Sequence, residues 1–324
     1  MRILASLARL HGRQRETASL CLRAPRLLHA VIRSTQRTFL GPYVTPQTFE
    51  LQASMDSLAS AEREYEDGPS FFAHFRGADA REVLAGKRVL DLGCGYGGRT
   101  VWYAEHAQPA SIVGVEIAES VVERCRAFAR RRGHDEIEFR HAFGESLPFE
   151  DRTFDVVVSY DVQEHVQDPA RTLEEIARVL SPGGEAWMVF PSYLGARASH
   201  LDYVTQVPFL HRIFDPDTIL PVINQFLTAA PERYGVAPQP PSKVAPTGRR
   251  VLPSLNGSDR AQSVAYMVRA GLVVSEVPAE PLVTKRAPVP FAGAFESMMR
   301  WMADRRRLPD LLVGHLAFRL RKPA

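Results

Sequence analysis

The chain has 324 residues, 45% hydrophobic and 24% charged, with a formal net charge of +3 at pH 7; this allows a substantial core in one or two domains and is the composition of an ordinary soluble globular protein. No apolar run approaches the roughly 18 to 20 residues of a membrane-spanning helix, and three widely spaced cysteines (Cys21, Cys94, Cys125) form neither a disulfide framework nor a zinc ligand set, which suits a reducing, cytoplasmic compartment. Residues 1–40 hold eight arginines and one acid, a local charge of +7 that leaves −4 on the remainder, so the body is not a basic nucleic-acid surface.

Taken in chain order, residues 1–40 read as a basic arm, disordered or amphipathic, with Ile3, Leu7 and Leu10 on one helical face. In an arginine-rich, bacterial-like chain such a start reads first as a loosely ordered arm or an over-extended start, then as a peripheral membrane contact, and last as a targeting segment. Residues 41–85 form N-terminal helices, the second broken near Gly77. From 86 to 191 strands alternate with helices: KRVLDLG, GRTVWYAEHA, SIVGVEIA, ESVVERCRAFARRRG, IEFRHA, DVVVSYD, DPARTLEEIARVLSPGG and EAWMVFP. Asp168 is the expected N-cap of the last helix, with Pro169 in its first turn. This alternation predicts an α/β fold, a largely parallel sheet covered on both faces, with a ligand crevice beyond the carboxyl ends of its strands. Residues 192–258 break the pattern and read as a long insertion rich in proline and aromatics, a substrate lid after strand five. Residues 259–324 restore it with DRAQSVAYMVRAG, LVVSEVPA, FESMMRWMADRRR and HLAFRLRK.

The first strand runs into VLDLGCGYGG, four glycines within six positions. Gly93-x-Gly95-x-x-Gly98 fits the dinucleotide fingerprint, and Gly93-x-Gly95-x-Gly97 fits a loop for S-adenosylmethionine (SAM) equally well. Asp91, two residues before the first glycine, favours SAM, because dinucleotide enzymes usually keep that strand apolar. Glu116, at the end of strand two, suits ribose hydroxyls in either case. The closing HLAFRLRK supplies a seventh strand beyond what a dinucleotide fold requires.

VLDLGCGYGG, VGVEIA, ESLPFEDRTFDVVVSYDVQEHVQDP and ARVLSPGGEAWMVFP together resemble the successive motifs of a class I SAM-dependent methyltransferase, within the small-molecule subgroup that includes ubiquinone- and menaquinone-pathway enzymes. The resemblance implies a Rossmann-like, seven-stranded mixed sheet of order 3-2-1-4-5-7-6 flanked by helices, and SAM as cofactor. It implies a cofactor shell of Asp91, Gly93, Cys94, Gly95, Gly97, Glu116, Ile117, Phe143, Gly144, Glu145 and Tyr160. Ile117 would pack on adenine. The family often has an acid where this chain has Phe143, so either Phe143 stacks on adenine or Glu145 supplies the polar contact. Cys94 reads as a small residue in a backbone-built loop, not a nucleophile.

Methyl transfer from a sulfonium needs alignment and exclusion of water, and an oxygen acceptor also needs its proton removed. YDVQEHV offers Asp161, Glu164 and His165. The three could hold Mg²⁺ or Mn²⁺, as in some ubiquinone-pathway O-methyltransferases that they resemble, or Asp161 and His165 could act as acid–base groups, or the triplet could simply hold the loop together. His200 is a second candidate base. Tyr193, His200, Tyr203, His211 and Phe214 are candidate lid residues for a planar or lipid-like acceptor. The expected activity is methyl transfer to a small molecule, at oxygen; the competing reading is a SAM-binding regulatory module on the same fold. No amino-directed DNA methylation signature follows strand four, so nucleic acid is not an expected partner.

Overall fold

The computed structural model describes residues 22–38, 55–67, 70–196, 198–281, 297–298, 301–302 and 309–324. The first part of the basic arm and most of the segment FESMMRWMADRRR therefore lie outside the described residues. Five strands, β1 (Arg88–Leu92), β2 (Ser111–Glu116), β3 (Glu138–His141), β4 (Phe154–Tyr160) and β5 (Leu180–Phe190), precede the insertion. The insertion holds the short β6 (Lys243–Val244) and β7 (Arg250–Val251), and β8 (Val273–Pro281) and β9 (Val313–Arg321) follow it. The main sheet has the order β3-β2-β1-β4-β5-β9-β8, parallel through β5, with β9 antiparallel to both its neighbours. This is the predicted order, the numbers shifted only by the β6–β7 ribbon.

Side chains alternate across β1 and divide the core in two. Val89 faces one apolar cluster and Leu90 and Leu92 the other, all at 2% exposure or less. The ten helices introduced here are α1 (Pro25–Thr35), α2 (Met55–Asp67), α3 (Ala80–Leu84), α4 (Gly98–Ala107), α5 (Glu119–Arg131), α6 (Pro169–Val179), α7 (Leu210–Ile213), α8 (Pro216–Ala229), α9 (Pro231–Tyr234) and α10 (Arg260–Arg269). The Val89 side is covered by α3, α4, α5 and the 3₁₀ turn Phe71–Phe75. The Leu90 side is covered by α6 and α10. Asp168 caps α6 as its spacing predicts, accepting from Ala170 N at 3.1 Å and Arg171 N at 3.0 Å.

The insertion is more ordered than its sequence suggests. Asp215 caps α8 by accepting from Asp217 N at 2.8 Å, and the helix continues through Pro221. Proline in a helix interior normally breaks it, but Ile219, Leu220, Val222, Ile223 and Leu227 are all buried here, and that burial outweighs the lost hydrogen bond. These residues build a third cluster with Leu201, Val204, Leu210 and Leu252. Part of the basic arm joins it. Leu28 and Ile32 of α1 are fully buried against the lid, and Gln36 Nε2 donates to Val204 O at 3.1 Å. The apolar face of α1 is thus occupied within the molecule. No helix among the described residues is long and apolar enough to cross a membrane.

Candidate functional site

The glycine loop turns from β1 into α4 and is anchored by main chain. Gly93 N and Cys94 N both donate to Val115 O, at 2.8 and 3.0 Å. Gly93, Gly95 and Gly97 have φ of +74°, +54° and +81°, a region open to glycine at little cost. At Gly93 a side chain would also collide with Val162, whose Cγ2 would lie 2.1 Å from a Cβ. Asp91 is buried below the loop and accepts from the Thr100 hydroxyl at 2.7 Å. Burial pushes its pKa up to about 6. Its partner is thus the first turn of α4. Cys94 is buried, and its neighbour Cys125 together with burial pushes the thiol well up, which suits an inert packing residue.

Beside the loop, Glu116 accepts from Gly95 N at 3.1 Å and Ile117 N at 2.8 Å. Ile117 and Phe143 follow the ends of the paired strands β2 and β3, and they are 55% and 45% exposed. Two large apolar side chains left open at adjacent strand ends are the right chemistry for a flat aromatic ring. Glu145 is otherwise engaged: its Oε1 accepts from Gln167 N at 2.6 Å and Asp168 N at 3.0 Å. It joins the loop after β3 to the loop after β4. Gly144 sits where a Cβ would meet Thr172 Cγ2 at 3.0 Å, so it permits that close join.

Sequence reasoning missed α2 as part of the site. Its Glu62 accepts from Tyr96 N at 3.0 Å and Gly98 N at 2.8 Å, and burial pushes Glu62 up to about 7. Glu66 holds the buried Arg99 guanidinium at 2.8 Å. That guanidinium lies 4.7 Å from the Tyr160 ring centroid, and Tyr160 Oη lies 3.3 Å from Tyr65 Oη. Tyr160 is therefore fixed from both sides. The available signal was the spacing of Ala59, Glu62 and Glu66, which share one helix face.

At the end of β4 the chain turns sharply. Asp161 has φ +55°, in a region that a non-glycine residue seldom occupies. Its carboxylate lies 3.4 Å from His315 Nε2 of β9, a residue the sequence reading did not single out. Ligand atoms of Glu164, His165 and His200 lie within 4.8 Å of one another, and the Asp161 carboxylate faces His315. His165 Nδ1 is 2.7 Å from Ser254 O, so Nδ1 donates and the Nε2 lone pair is left 3.6 Å from Glu164. Neither carboxylate oxygen of the buried Glu164 has a hydrogen-bond partner among the described residues, and burial, with Asp161 nearby, pushes its pKa well above the usual carboxylate range. Burial lowers His200 to about 4. Asn256, also missed, locks this loop to the lid: it is fully buried, and its Nδ2 donates to Gln163 O at 2.7 Å and Val166 O at 3.0 Å.

The lid candidates divide. Tyr193 and His200 line a cleft with Glu164, Pro191, Ala198 and Leu255. His211 is buried and donates from Nε2 to Tyr193 O at 2.8 Å, and burial pushes it down to about 4. Phe214 lies in the lid core and Tyr203 packs against it. The structure thus turns His211, Phe214 and Tyr203 to building the lid, and only Tyr193 and His200 reach the cleft.

Residues 90–188 match the methyltransferase domain family, and the sheet order β3-β2-β1-β4-β5-β9-β8 is the Rossmann-like order that the sequence motifs led us to expect. No particular subgroup, quinone-pathway or other, is singled out by the match. The chain is similar to phthiotriol/phenolphthiotriol dimycocerosates methyltransferase 1 of Mycobacterium ulcerans, 37% identical over 101 residues, which are 31% of this chain and 36% of that one. It is 32% identical over 108 residues to the uncharacterized methyltransferase YcgJ of Bacillus subtilis, 33% of this chain and 42% of the relative. The chain thus matches well under half the length of these relatives. The crystal structure of YcgJ aligns with a TM-score of 0.45 at 18% identity, over 75% of this chain and 95% of that one.

Proposed function

We propose that this protein transfers the methyl group of SAM to a small-molecule acceptor, at oxygen. The observation that carries the reading is the arrangement along the carboxyl edge of the sheet. Glu116 closes the glycine loop at Gly95 N, Ile117 and Phe143 stand open beside it, and imidazoles and a carboxylate gather at the end of β4. Glu116 would take the ribose hydroxyls and the two apolar side chains the adenine. The sulfonium is its own activated leaving group, so the chain must supply alignment, exclusion of water and removal of the acceptor's proton. His165 suits the role of proton acceptor, because the bond from Nδ1 to Ser254 O fixes the tautomer and leaves Nε2 as acceptor. His200, lowered to about 4, is too weak a base for that role at neutral pH and serves better to line the cleft. The mixture of apolar walls with Tyr193 and His200 suits a planar or lipid-like acceptor.

A second reading is favoured by the unpartnered oxygens of Glu164. Glu164, His165 and His200 would hold a divalent cation, which supplies Lewis acidity toward an acceptor hydroxyl when bound. One carboxylate and two imidazoles fit zinc, iron or manganese better than magnesium, which favours all-oxygen sets.

Calorimetric titration with SAM and with NAD, for the wild type and Glu116→Ala, tests the cofactor. The expected result is SAM affinity of about micromolar strength, weakened at least about tenfold in the variant. A folded protein that binds NAD, or neither ligand, overturns the reading. Turnover lost in His165→Ala with SAM affinity retained supports the base, whereas SAM binding without turnover on any acceptor points to the regulatory module.

A further inference from the structure

The front of the glycine loop is closed by α2, and the contact leaves no spare room. A Cβ at Gly98 would lie 1.8 Å from Ala59 O, and one at Gly95 would lie 2.6 Å from Glu62 Oε1. From that seat the Glu62 carboxylate accepts from Tyr96 N and Gly98 N at 3.0 and 2.8 Å. These amides, one in the loop and one in the first turn of α4, have no partner within the helix and lie where phosphate-binding strand–loop–helix units hold the anion of their ligand. Glu116 takes a third, Gly95 N, at 3.1 Å. Three amide donors of the loop are therefore occupied by the protein's own carboxylates.

We propose that Glu62 is a specificity-determining residue of the glycine loop: it fills the anion-binding donors at the head of α4, rejecting ligands that present phosphate there and favouring a cofactor that presents positive charge. The inference rests on the SAM reading of the site and deepens it. It supplies a physical reason for choosing between two glycine spacings that the sequence left level. A pyrophosphate would have to displace Glu62 and then lie against it. SAM brings a sulfonium and an ammonium to a region where Glu62, Asp91 and Glu116 surround the loop. The nearby guanidinium of Arg99 is already paired with Glu66 at 2.8 Å. Burial displaces both Glu62 and Asp91 upward, and the Arg99 charge opposes that displacement. The demethylated product, S-adenosylhomocysteine, has lost the sulfonium charge, so Glu62 contributes less to holding it.

The test measures dissociation constants for SAM, S-adenosylhomocysteine and ADP with the wild type, Glu62→Gln and Glu62→Ala, with thermal unfolding as the check on folding. Glu62→Gln should weaken SAM about tenfold and S-adenosylhomocysteine less than about threefold, the difference expected from removing one nearby charge in a partly desolvated site. Glu62→Ala, which adds no bulk, should give ADP binding that the wild type lacks, and it also serves if the Gln variant does not fold. Equal weakening of SAM and product marks a merely structural cap and overturns the proposal. Absence of ADP binding in Glu62→Ala overturns its phosphate-excluding part. If the wild type binds no SAM, the cofactor reading fails, while new ADP binding in Glu62→Ala still supports exclusion of phosphate.

Discussion

The proposed cofactor crevice and the proposed acceptor cleft sit on the same sheet edge and are built from different materials. In the crevice, the wall is the main chain of residues 93–98, whose amides are held by Val115 O, Cys94 O, Glu62 and Glu116, together with side chains at the ends of β2 and β3. Backbone positions them, and glycine lets the backbone come close. In the cleft, the groups are side chains: Glu164 and His165 after β4, His200 from the lid, and Asn256 tying the two loops together. The lid itself stands on a separate core, to which α1 contributes from far away in the chain. The first kind of site is sensitive to added atoms and the second to lost partners.

Four experiments probe that contrast. Gly98→Ala should have the largest effect, because its Cβ would lie 1.8 Å from a backbone oxygen of α2 and backbone cannot rotate away. The expectation is a loss of about 3 kcal/mol or more in urea denaturation, or detachment of α2. A variant as stable as the wild type would show that α2 does not seat on the loop.

Asn256→Ala removes buried bonds to Gln163 O and Val166 O and should cost about 2–3 kcal/mol. SAM affinity should stay within about threefold of wild type, since the crevice shares none of those bonds. A large loss of SAM affinity would mean that the two halves are coupled.

Next comes a dependence on pH. Glu62 is raised from 4.5 to about 7 in the folded chain, so folding favours its protonated form. The stability this contributes is fully present below pH 4.5 and is lost as pH rises through 7. Denaturation of wild type and Glu62→Gln at pH 5 and pH 8 should show the wild type losing on the order of 2 kcal/mol more than the variant over that interval. Asp91, raised to about 6, acts in the same direction in both proteins and cancels in the comparison. Parallel curves would show that Glu62 does not titrate with folding. The smallest expected effect is that of Phe143→Ala: about 1 kcal/mol in SAM affinity, read by calorimetry, with no change in folding stability beyond about 0.5 kcal/mol.

Much of the crevice was legible because its determinants are local. The run Val89 to Leu92, the glycines behind it and the Asp168 cap each act within a few residues of themselves, and each lies where its spacing implies. Glu62 was not legible in this way. AEREYED carries four acids, and which of them meets the loop depends on how α2 is rotated against it. The lid was obscured by Pro221, a local signal for a break that the burial of its neighbours overrides. His315 looked like one more position in a closing strand until β9 paired beside β5 and brought it to Asp161.

By itself, then, the sequence determined the order of strands and helices, the placing of the glycine loop and the acid that ends β2, because hydrophobic period, capping and turn chemistry are short-range forces. Only the tertiary structure decided that His200 gathers with Glu164 and His165, that Phe214 and His211 are buried in the lid with Tyr203 packed against its core, and that Glu62 closes the loop. Those choices belong to elements distant in the chain. They follow from how faces pack once each has formed, which no local period encodes.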